Sequence, residues 1–300
     1  MNKNVVCYGE VLWDLLPQGA RVGGAPLNVC YHLNKQGVNS KIISQVGNDV
    51  LGNDLLQAIK DLEIDPVFCA VSSEYPTSRV DVELDDAGKP TYTIVENVAW
   101  DYIPFDNTVA AEISNSDAFI FGSLVLRNPI SMQTLRSYLN YSNYVVMDVN
   151  LRAPFYDVDI LKEFLSYVDC LKINDDELLL LGKWLGALDL TESNCLTAIL
   201  NAYPKIKEII LTKGANGSLY YSNGEHFIVS AYAIDVQDTV GAGDAFLAGF
   251  LAHKLNDEAI EFALEFATLL SAFVASKDGA CPLYTYLDLI NFKNQHRKVL

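Results

Sequence analysis

The stretch Asp238-Thr239-Val240-Gly241-Ala242-Gly243-Asp244 decides how the rest of the chain is interpreted. Residues 225–236, just before it, alternate in polarity and predict a strand, whereas the apolar residues within 245–255 recur at helical spacing and predict a helix. The small residues allow a sharp turn with exposed amides, and a helix that begins there adds unpaired N–H groups and the positive end of its dipole. Such a turn typically holds a phosphate.

Asp244 falls in the first turn of this predicted helix, beside the expected anion. A carboxylate next to a phosphate is unfavourable unless it has a task, and the natural task is to accept the proton of an attacking hydroxyl. We therefore expect Asp244 to be a general base, and the amides of Gly241, Ala242 and Gly243 to hold the charge on the transferred group. A glycine turn followed by an acidic helix cap is the better explanation of the motif when it stands alone, so the other motifs decide.

Composition limits the partners. The chain has 300 residues, half of them apolar, and a net charge of −17, which argues against nucleic acid or an anionic membrane as a partner. Bound ATP would need locally arranged amides, cations and Mg²⁺. The six cysteines form no Cys-x-x-Cys pair, which predicts thiols in a reducing cytosol rather than a metal site. With no signal peptide and no long apolar run, we expect a cytoplasmic protein.

The N-terminal region holds the second motif. A predicted buried strand at 5–8 is followed by Asp14, an acid among apolar residues that fits either a turn or a ligand site. Gly23-Gly24-Ala25-Pro26-Leu27-Asn28 then begins a helix that runs to about Gln36, with the proline in its first turn. The double glycine suits a hinge or a close approach to a ligand, and the amide of Asn28 can both donate to and accept from a sugar hydroxyl.

Both motifs resemble the signatures of the PfkB (ribokinase-like) carbohydrate kinases. Gly-Gly-Ala-Pro-x-Asn-Val matches the first signature, with Cys30 in place of its last alanine, and Asp-Thr-Val-Gly-Ala-Gly-Asp matches the second. The resemblance covers about residues 5–285. It implies that Asp14 and Asn28, with Gly23 and Gly24, bind the sugar.

Residues 77–102 differ from the α/β pattern around them. Val80, Val82 and Leu84 alternate with acids, 86–89 predicts a hairpin turn, and Tyr92, Ile94 and Val95 lead away from it. This pattern fits either a small separate sheet or an ordinary hairpin at the edge of the main sheet. In the family, this position is a β-sheet lid that often forms the dimer contact, so the resemblance implies a homodimer.

From residue 106 to 173, predicted helices and strands alternate regularly. Asp148-Val149-Asn150-Leu151-Arg152 follows a predicted strand, at the edge where open parallel sheets bind ligands. This Asp-x-Asn-x-Arg pattern resembles the fructokinase-like branch, in which the arginine faces the substrate or phosphate. An exposed arginine near a helix start explains Arg152 as well.

The nucleotide side is indicated by shorter motifs. Asn174 and Glu177 have the spacing of a capping box, and they also match the family motif that positions Mg²⁺ and phosphate, with Glu177 acting through water. The segment Thr212-Lys213-Gly214-Ala215-Asn216-Gly217 can be explained as a turn between strands. The same segment resembles the family's nucleotide turn, and this resemblance implies that Thr212, Gly214 and Gly217 bind ATP. Lys213 stands where leucine is more usual.

Two further roles are implied by the resemblance. Thr268 and Ser271, on a predicted apolar helix, would face the adenine, although core packing explains most of this segment. Asp238 and the carbonyl of Val240 would hold a monovalent cation, K⁺, next to the amide turn.

The sequence therefore predicts an α/β fold, a ribokinase-like, Rossmann-type αβα sandwich with a small β-sheet lid. Residues 1–300 are expected to form a single kinase domain, whose lid consists of about 77–102 and part of 10–24. The predicted activity is ATP- and Mg²⁺-dependent phosphorylation of a primary hydroxyl of a ketose, with fructose preferred. Two alternatives stay open: a kinase of 2-keto-3-deoxygluconate or another sugar, and a catalytically inactive kinase-like binding or regulatory protein.

Overall fold

The computed structural model describes residues 3–16, 19–84, 90–296 and 298. The predicted hairpin turn at 86–89 lies outside the described residues. In the adjoining strands, 81–84 and 90–92 are described by their backbone only.

The main sheet has nine strands in the order β13-β12-β11-β10-β9-β8-β1-β4-β5. Pairing is parallel from β5 across to β11, and β12 and β13 add an antiparallel edge. The strands span β1 Asn4–Tyr8, β4 Asn39–Gly47, β5 Cys69–Ser72, β8 Ala118–Gly122, β9 Val145–Asp148, β10 Cys170–Asn174, β11 Glu208–Thr212, β12 Ser218–Ser222 and β13 Glu225–Val229.

Helices cover both faces of this sheet, which explains why its central strands are nearly continuous apolar runs. Along β1, Val5 and Cys7 pack into one core, whereas Val6 and Tyr8 pack into the other. The first core includes residues of α1 Ala25–Lys35, α2 Val50–Asp61, α8 Ala242–Lys254, α9 Ile260–Ala275 and α10 Tyr286–Gln295. The second includes residues of α3 Asn107–Ser114, α4 Pro129–Tyr138, α5 Val158–Leu165, α6 Asp175–Trp184 and α7 Glu192–Ala202. The predicted α/β sandwich is confirmed.

A second sheet of four strands has the order β3-β2-β6-β7, and we call it the small sheet. Its strands are β2 Leu12–Leu16, β3 Gly19–Gly23, β6 Arg79–Leu84 and β7 Pro90–Ile94. Two hairpins, β2–β3 and β6–β7, join through parallel pairing of β2 with β6. The segment around 77–95 is therefore not an ordinary hairpin at the edge of the main sheet, and Asp14 lies within a strand rather than in a turn.

Several element boundaries differ from the sequence predictions. The strand predicted over 225–236 ends at Val229, which pairs with Ser218 beside Thr212 and so already lies at the edge of the sheet where the parallel strands end. The strand predicted at 67–71 is Cys69–Ser72. The elements β12, α7 and α10 have no counterpart in the sequence predictions; each is short and mixes polar with apolar residues, which weakens its periodicity.

Among the described residues, no helix is both long enough and apolar enough to cross a membrane.

Candidate active site

The amide turn at the start of α8 forms as the sequence predicts. Gly241 is the N-cap with φ 76° and ψ −6°, a left-handed conformation that favours glycine, and a Cβ there would collide with Ala280. The helix begins at Ala242, one turn earlier than the apolar spacing suggests, so the N–H groups of its first residues have no partner within the helix. Apart from a long contact of 3.3 Å from the N–H of Ala242 to the carbonyl of Thr239, the turn can therefore present its amides and the helix dipole to an anion.

Asp244 lies in the first turn of α8 and is only 7% exposed. Its Oδ2 accepts a hydrogen bond of 2.8 Å from Nδ2 of Asn28, on α1. Burial raises the pKa of Asp244 to about 6, assisted by the charge of Asp148, whereas Asn28, Lys172 and Arg152 lower it. The carboxyl is therefore mostly ionised at neutral pH yet close to its pKa, as a general base requires.

A buried ion pair lies under the amide turn. Nζ of Lys172, on β10, donates to both carboxylate oxygens of Asp148, on β9, at 2.9 and 2.8 Å. A Cβ on Gly243 would stand 3.2 Å from that Nζ. Burial opposes the charge of Lys172, but Asp148, Asp244 and Glu177 hold its pKa above the ordinary value. The pair places a fixed cation beneath the expected phosphate in an otherwise acidic protein.

Lys172 and Asp148 were not among the residues predicted for the site. A signal for Lys172 was available, because a lysine inside the apolar run Cys-Leu-Lys-Ile is rarely buried without a partner. The partner itself could not be identified, since pairing between β9 and β10 decides it.

Asn174 and Glu177 form the predicted capping box at the start of α6. Oδ1 of Asn174 accepts from the N–H of Glu177, and Oε2 of Glu177 accepts from the N–H of Asn174, each at 2.9 Å. Oε1 of Glu177 also accepts from the N–H of Leu151 at 2.8 Å, so this carboxylate ties α6 to the loop after β9. Burial and Asp148 raise the pKa of Glu177, against the two backbone N–H groups and Lys172.

The sugar-side residues come from the small sheet and from α1. Asp14, on β2, packs against Gly23, where a Cβ would overlap its carboxylate. Burial raises the pKa of Asp14 to about 6, with Asp238 adding to the shift and Arg21 opposing it. A Cβ on Gly24 would overlap the carbonyl oxygen of Glu10. The double glycine thus brings the backbone before α1 against the end of β1 and beside Asp14.

Glu10 is a further buried acid in this region that sequence reasoning missed. Its Oε1 accepts from the N–H of Ala25, the first residue of α1, at 3.1 Å, and its buried Oε2 has no hydrogen-bond partner among the described residues. Burial raises the pKa of Glu10 to about 7; Asp244 adds to the shift, and Arg152 opposes it. The position directly after β1 was the available signal, because ligand sites lie at such strand ends.

Arg152 has an exposed side chain in the loop after β9, at the same sheet edge. Its charge lowers the pKa of both Asp244 and Glu10. The structure therefore brings the predicted arginine near Asp244.

The loop before α8 is tied to the segment after α9. Oδ1 of Asp238 accepts from the N–H of Val240 at 2.9 Å, and Oδ2 accepts from the N–H of Gly279 at 3.2 Å. Two residues on, Sγ of Cys281 lies 3.4 Å from Oδ1 of Asn28, and that contact orients the Asn28 amide with its nitrogen toward Asp244. The segment after α9 thus contacts both Asp238, before the amide turn, and Asn28, which is hydrogen-bonded to Asp244.

The residues predicted for the nucleotide lie at the end of β11 and on α9. Thr212 is the last residue of β11, the 3₁₀ turn Gly214–Asn216 follows, and Gly217 has φ 86° where the chain turns into β12. Thr268, on α9, is buried: its Oγ1 donates to the carbonyl of Leu264 at 2.8 Å and lies 3.4 Å from Oγ of Ser218, on β12. Thr268 therefore connects α9 to the strand that follows the turn.

In the described part of the chain, no group of three or more His, Cys, Asp or Glu side chains is arranged to hold a metal ion. Mg²⁺ usually takes one or two protein carboxylates, with phosphate and water as its other ligands. The Glu177 carboxylate keeps lone pairs beyond the two N–H groups that it accepts from Leu151 and Asn174, so it fits such a partial site.

The chain is similar along most of its length to known carbohydrate kinases. A model of the family described as pfkB family carbohydrate kinase matches residues 3–285. The fructokinase of Klebsiella pneumoniae is 26% identical over 307 residues, which cover 96% of this chain and 98% of the relative.

Solved structures share the fold. The fructokinase of Xylella fastidiosa with bound ATP has a TM-score of 0.85 at 20% identity, covering 98% of this chain and 99% of that one. The fructokinase of Vibrio cholerae O395 with bound fructose, ADP and calcium has a TM-score of 0.81 at 24% identity, covering 97% and 98%. At these identities the likeness establishes the architecture of the two sheets.

Proposed function

This chain belongs to the pfkB family of carbohydrate kinases, and we propose that it transfers the γ-phosphoryl group of ATP to a primary hydroxyl of fructose. The observation that supports this most directly is the position of Asp244, which is one turn into the amide-bearing end of α8 and hydrogen-bonded to Asn28. A pseudo-enzyme would have no use for a buried acid with a raised pKa at this point.

In the proposed reaction, Asp244 accepts the proton of the attacking sugar hydroxyl. A pKa of about 6 leaves this carboxyl mostly ionised at pH 7 and still basic enough to take the proton. The amides of Gly241, Ala242 and Gly243 hold the negative charge that develops on the transferred group, with the Lys172 ammonium below them. The two hydrogen bonds to Asp148 hold the Lys172 ammonium in place before ATP binds.

ATP is proposed to lie along the carboxyl ends of β10 and β11. Thr212, Gly214 and Gly217 would contact the nucleotide, and Thr268 would border the adenine. Mg²⁺ would be held near Asn174 and Glu177, through water, and would neutralise phosphate charge when bound. Asp238 and the Val240 carbonyl would hold K⁺, because the carboxylate of Asp238 joins the two loops on either side of the amide turn.

Fructose is preferred over an acid sugar on electrostatic grounds. A neutral ketose offers only hydroxyls, which Asp14 and Asn28 can pair as acceptor and donor. A substrate such as 2-keto-3-deoxygluconate would bring a carboxylate near Asp14 and Asp244, with Arg152 as its compensating cation. The buried Asp244 and the half-buried Asp14 outnumber the exposed Arg152, and Arg21 near Asp14 is already paired with Asp278, so the balance of charge favours the neutral sugar.

A panel of sugars in a coupled ADP-release assay tests this preference. We expect kcat/KM for fructose to exceed that for 2-keto-3-deoxygluconate, ribose and glucose. Arg152→Gln, which removes the only cation proposed for an acid sugar, is expected to leave that ranking unchanged. A higher kcat/KM for 2-keto-3-deoxygluconate would overturn the fructose assignment.

The small sheet is proposed to be a lid over the sugar, within a single kinase domain spanning the chain, and to form a homodimer contact. Val80 is buried and Ile94 and Val95 are partly buried, and the alternating apolar residues of β6 and β7 need a cover on this four-stranded sheet. Sedimentation should give about twice the chain mass if a second copy supplies that cover. Val82→Asp is expected to weaken both the dimer and sugar affinity, whereas a wild-type monomer at micromolar concentration would rule the dimer out.

The six cysteines have no disulfide partner, and five of them are buried. This supports the proposal of a reducing, cytoplasmic setting. The net charge of −17 is the basis for proposing that neither nucleic acid nor an anionic membrane is a partner.

A further inference from the structure

A buried arginine lies between the small sheet and the loop that carries Arg152. Arg127, whose side chain is 4% exposed, is the last residue of the short 3₁₀ segment Leu124–Arg127 after β8. Its Nε and Nη2 donate to the two carboxylate oxygens of Asp101 at 2.7 and 2.8 Å, which is the bidentate geometry of a strong pair. None of the roles assigned above uses this residue.

On one side, Arg127 holds the point where the chain leaves the small sheet. Its Nη2 also donates to the carbonyl of Val95 at 2.8 Å, directly after β7. Asp101 in turn accepts from the N–H of Val98 at 3.2 Å, which fixes the segment between β7 and the 3₁₀ turn at 99–102. The return from the small sheet to the main body is therefore organised around one guanidinium.

On the other side, Arg127 contacts the loop after β9. The guanidinium carbon lies 4.0 Å from the ring centroid of Trp100 and 5.1 Å from that of Phe155, so the cation has an aromatic ring from each segment against it. The N–H of Phe155 donates to the carbonyl of Arg152 at 2.7 Å, which places both residues in one tight turn. Leu151, at the start of that turn, donates to Glu177.

Through these contacts, one buried cation links the small sheet, on the proposed sugar side, to the Arg152 turn, on the proposed phosphate side. We propose that Arg127 is a positioning residue for phosphoryl transfer: it holds the exit of the small sheet and the Arg152 turn in a fixed relation, so that sugar and phosphate are aligned together. The inference rests on the kinase activity of the chain but not on which sugar it phosphorylates.

An arginine suits this position better than a lysine, because the planar fork is needed. The guanidinium donates to both carboxylate oxygens of Asp101 and to the carbonyl of Val95, and its flat faces lie against two aromatic rings. An ammonium cannot make all of these contacts at once. Removing the side chain leaves Asp101 buried without its counter-charge, so a loss of stability is expected in any case. The test must therefore separate stability from alignment.

Lys254 offers a matched control. It forms a partly buried ion pair of 2.9 Å with Glu208 and lies 4.3 Å from the ring centroid of Tyr144, at the far end of α8 from the amide turn. Lys254→Met thus removes a similar ion pair and cation–π contact away from the site. Phe155→Leu is a second variant that removes the aromatic contact to the Arg152 turn without burying an unpaired charge.

The experiment measures kcat, both KM values and Tm for wild type, Arg127→Met, Arg127→Lys, Phe155→Leu and Lys254→Met, with the best wild-type sugar as acceptor. Assays run well below the lowest Tm. We expect Arg127→Met to raise the sugar KM and lower kcat, each by about tenfold, as loss of alignment does. Arg127→Lys should recover part of this loss, Phe155→Leu should show a few-fold effect in the same direction, and Lys254→Met should lower Tm only.

Values of kcat and KM within twofold of wild type for Phe155→Leu and for either folded Arg127 variant would overturn the inference. So would equal kinetic losses in Lys254→Met, because the effect would then report stability alone. A wild type that phosphorylates sugars other than fructose would overturn the fructose proposal while leaving this comparison intact.

Discussion

The two sides of the active site are built in different ways. On the proposed phosphate side, the amides of residues 241–243 and Asp244 come from one continuous segment, whereas Lys172 and Asp148 beneath them come from β10 and β9. The proposed sugar side is assembled from side chains far apart in the chain: Asp14 on the small sheet, Asn28 on α1 and Glu10 after β1. The difference teaches that backbone chemistry can be identified from a short motif, whereas side-chain chemistry depends on tertiary placement.

The two sides also differ in charge. The proposed phosphate side offers backbone amides, the helix dipole and the Lys172 ammonium, which Asp148 already pairs, in a chain whose net charge is −17. The proposed sugar side instead holds buried or half-buried carboxyls, and burial raises the pKa of Asp14 to about 6 and that of Glu10 to about 7. A phosphate would therefore meet hydrogen-bond donors on one side, and a neutral polyol would meet carboxyls on the other. The predictions below test that difference.

The largest effect is expected from Asp244→Asn, where the two sides meet. Loss of the base should lower kcat by about two to four orders of magnitude, the usual contribution of general base catalysis. Because burial raises the pKa of Asp244 from 3.8 to about 6, its charge destabilises the fold above that pH. The variant should therefore be more stable than wild type at pH 8, by on the order of 2 kcal/mol, with no gain below about pH 4.

Denaturant unfolding at pH 8 and at pH 4, together with kcat, checks this prediction. Turnover of Asp244→Asn within twofold of wild type would remove the acid from the mechanism. Equal stability gains at both pH values would show that the carboxyl is not strained by burial.

A smaller effect is expected from Gly241→Ala, which alters the phosphate side only. The new Cβ would collide with Ala280 in a left-handed conformation and displace the amides, for a loss of about 100-fold in kcat/KM. Gly186→Ala is the matched control, because Gly186 has a similar φ of 73° with open space around it. Steady-state kinetics of both variants separate the backbone strain from the displaced amides; similar losses in both would contradict the account.

The pH dependence of kcat/KM should follow Asp244. The base must be ionised, so activity should fall about tenfold per pH unit as the pH drops below about 6. Asn28→Ala removes a hydrogen bond that lowers this pKa, and its acid limb should move to higher pH. Glu10→Gln should leave the limb in place. If the acid limb moved in Glu10→Gln and not in Asn28→Ala, Glu10 rather than Asp244 would be the base.

The smallest effect is expected from monovalent cations. K⁺ held by Asp238 and the Val240 carbonyl would steady the loop that presents the amides, so a few-fold activation by K⁺ over Na⁺ is expected with Mg²⁺ present. Asp238→Asn should abolish the difference and otherwise leave sugar binding unchanged. Identical rates in the two salts for the wild type would exclude this cation role.

The same contrast explains how far the sequence could be interpreted. The fold, the amide turn and the capping box of Asn174 and Glu177 follow from local spacing and small residues, and the structure has them where they were predicted. Lys172 with Asp148 and the link through Arg127 were missed, because strand pairing and the packing of separate loops bring those residues together. Similarly, the role of Asp14 could not be separated from that of a turn residue until β2 was seen to pair with β3 and β6.

The most direct test of the central claim is ADP release by the wild-type protein with ATP, Mg²⁺ and fructose, with the product identified by ³¹P–¹H NMR. We expect saturable ADP release that requires the sugar, one phosphate ester per ADP on a primary hydroxyl of fructose, and almost no release by Asp244→Asn. Release of ADP without sugar, or no sugar-dependent release with any member of the panel, would contradict the assignment of this site to sugar phosphorylation.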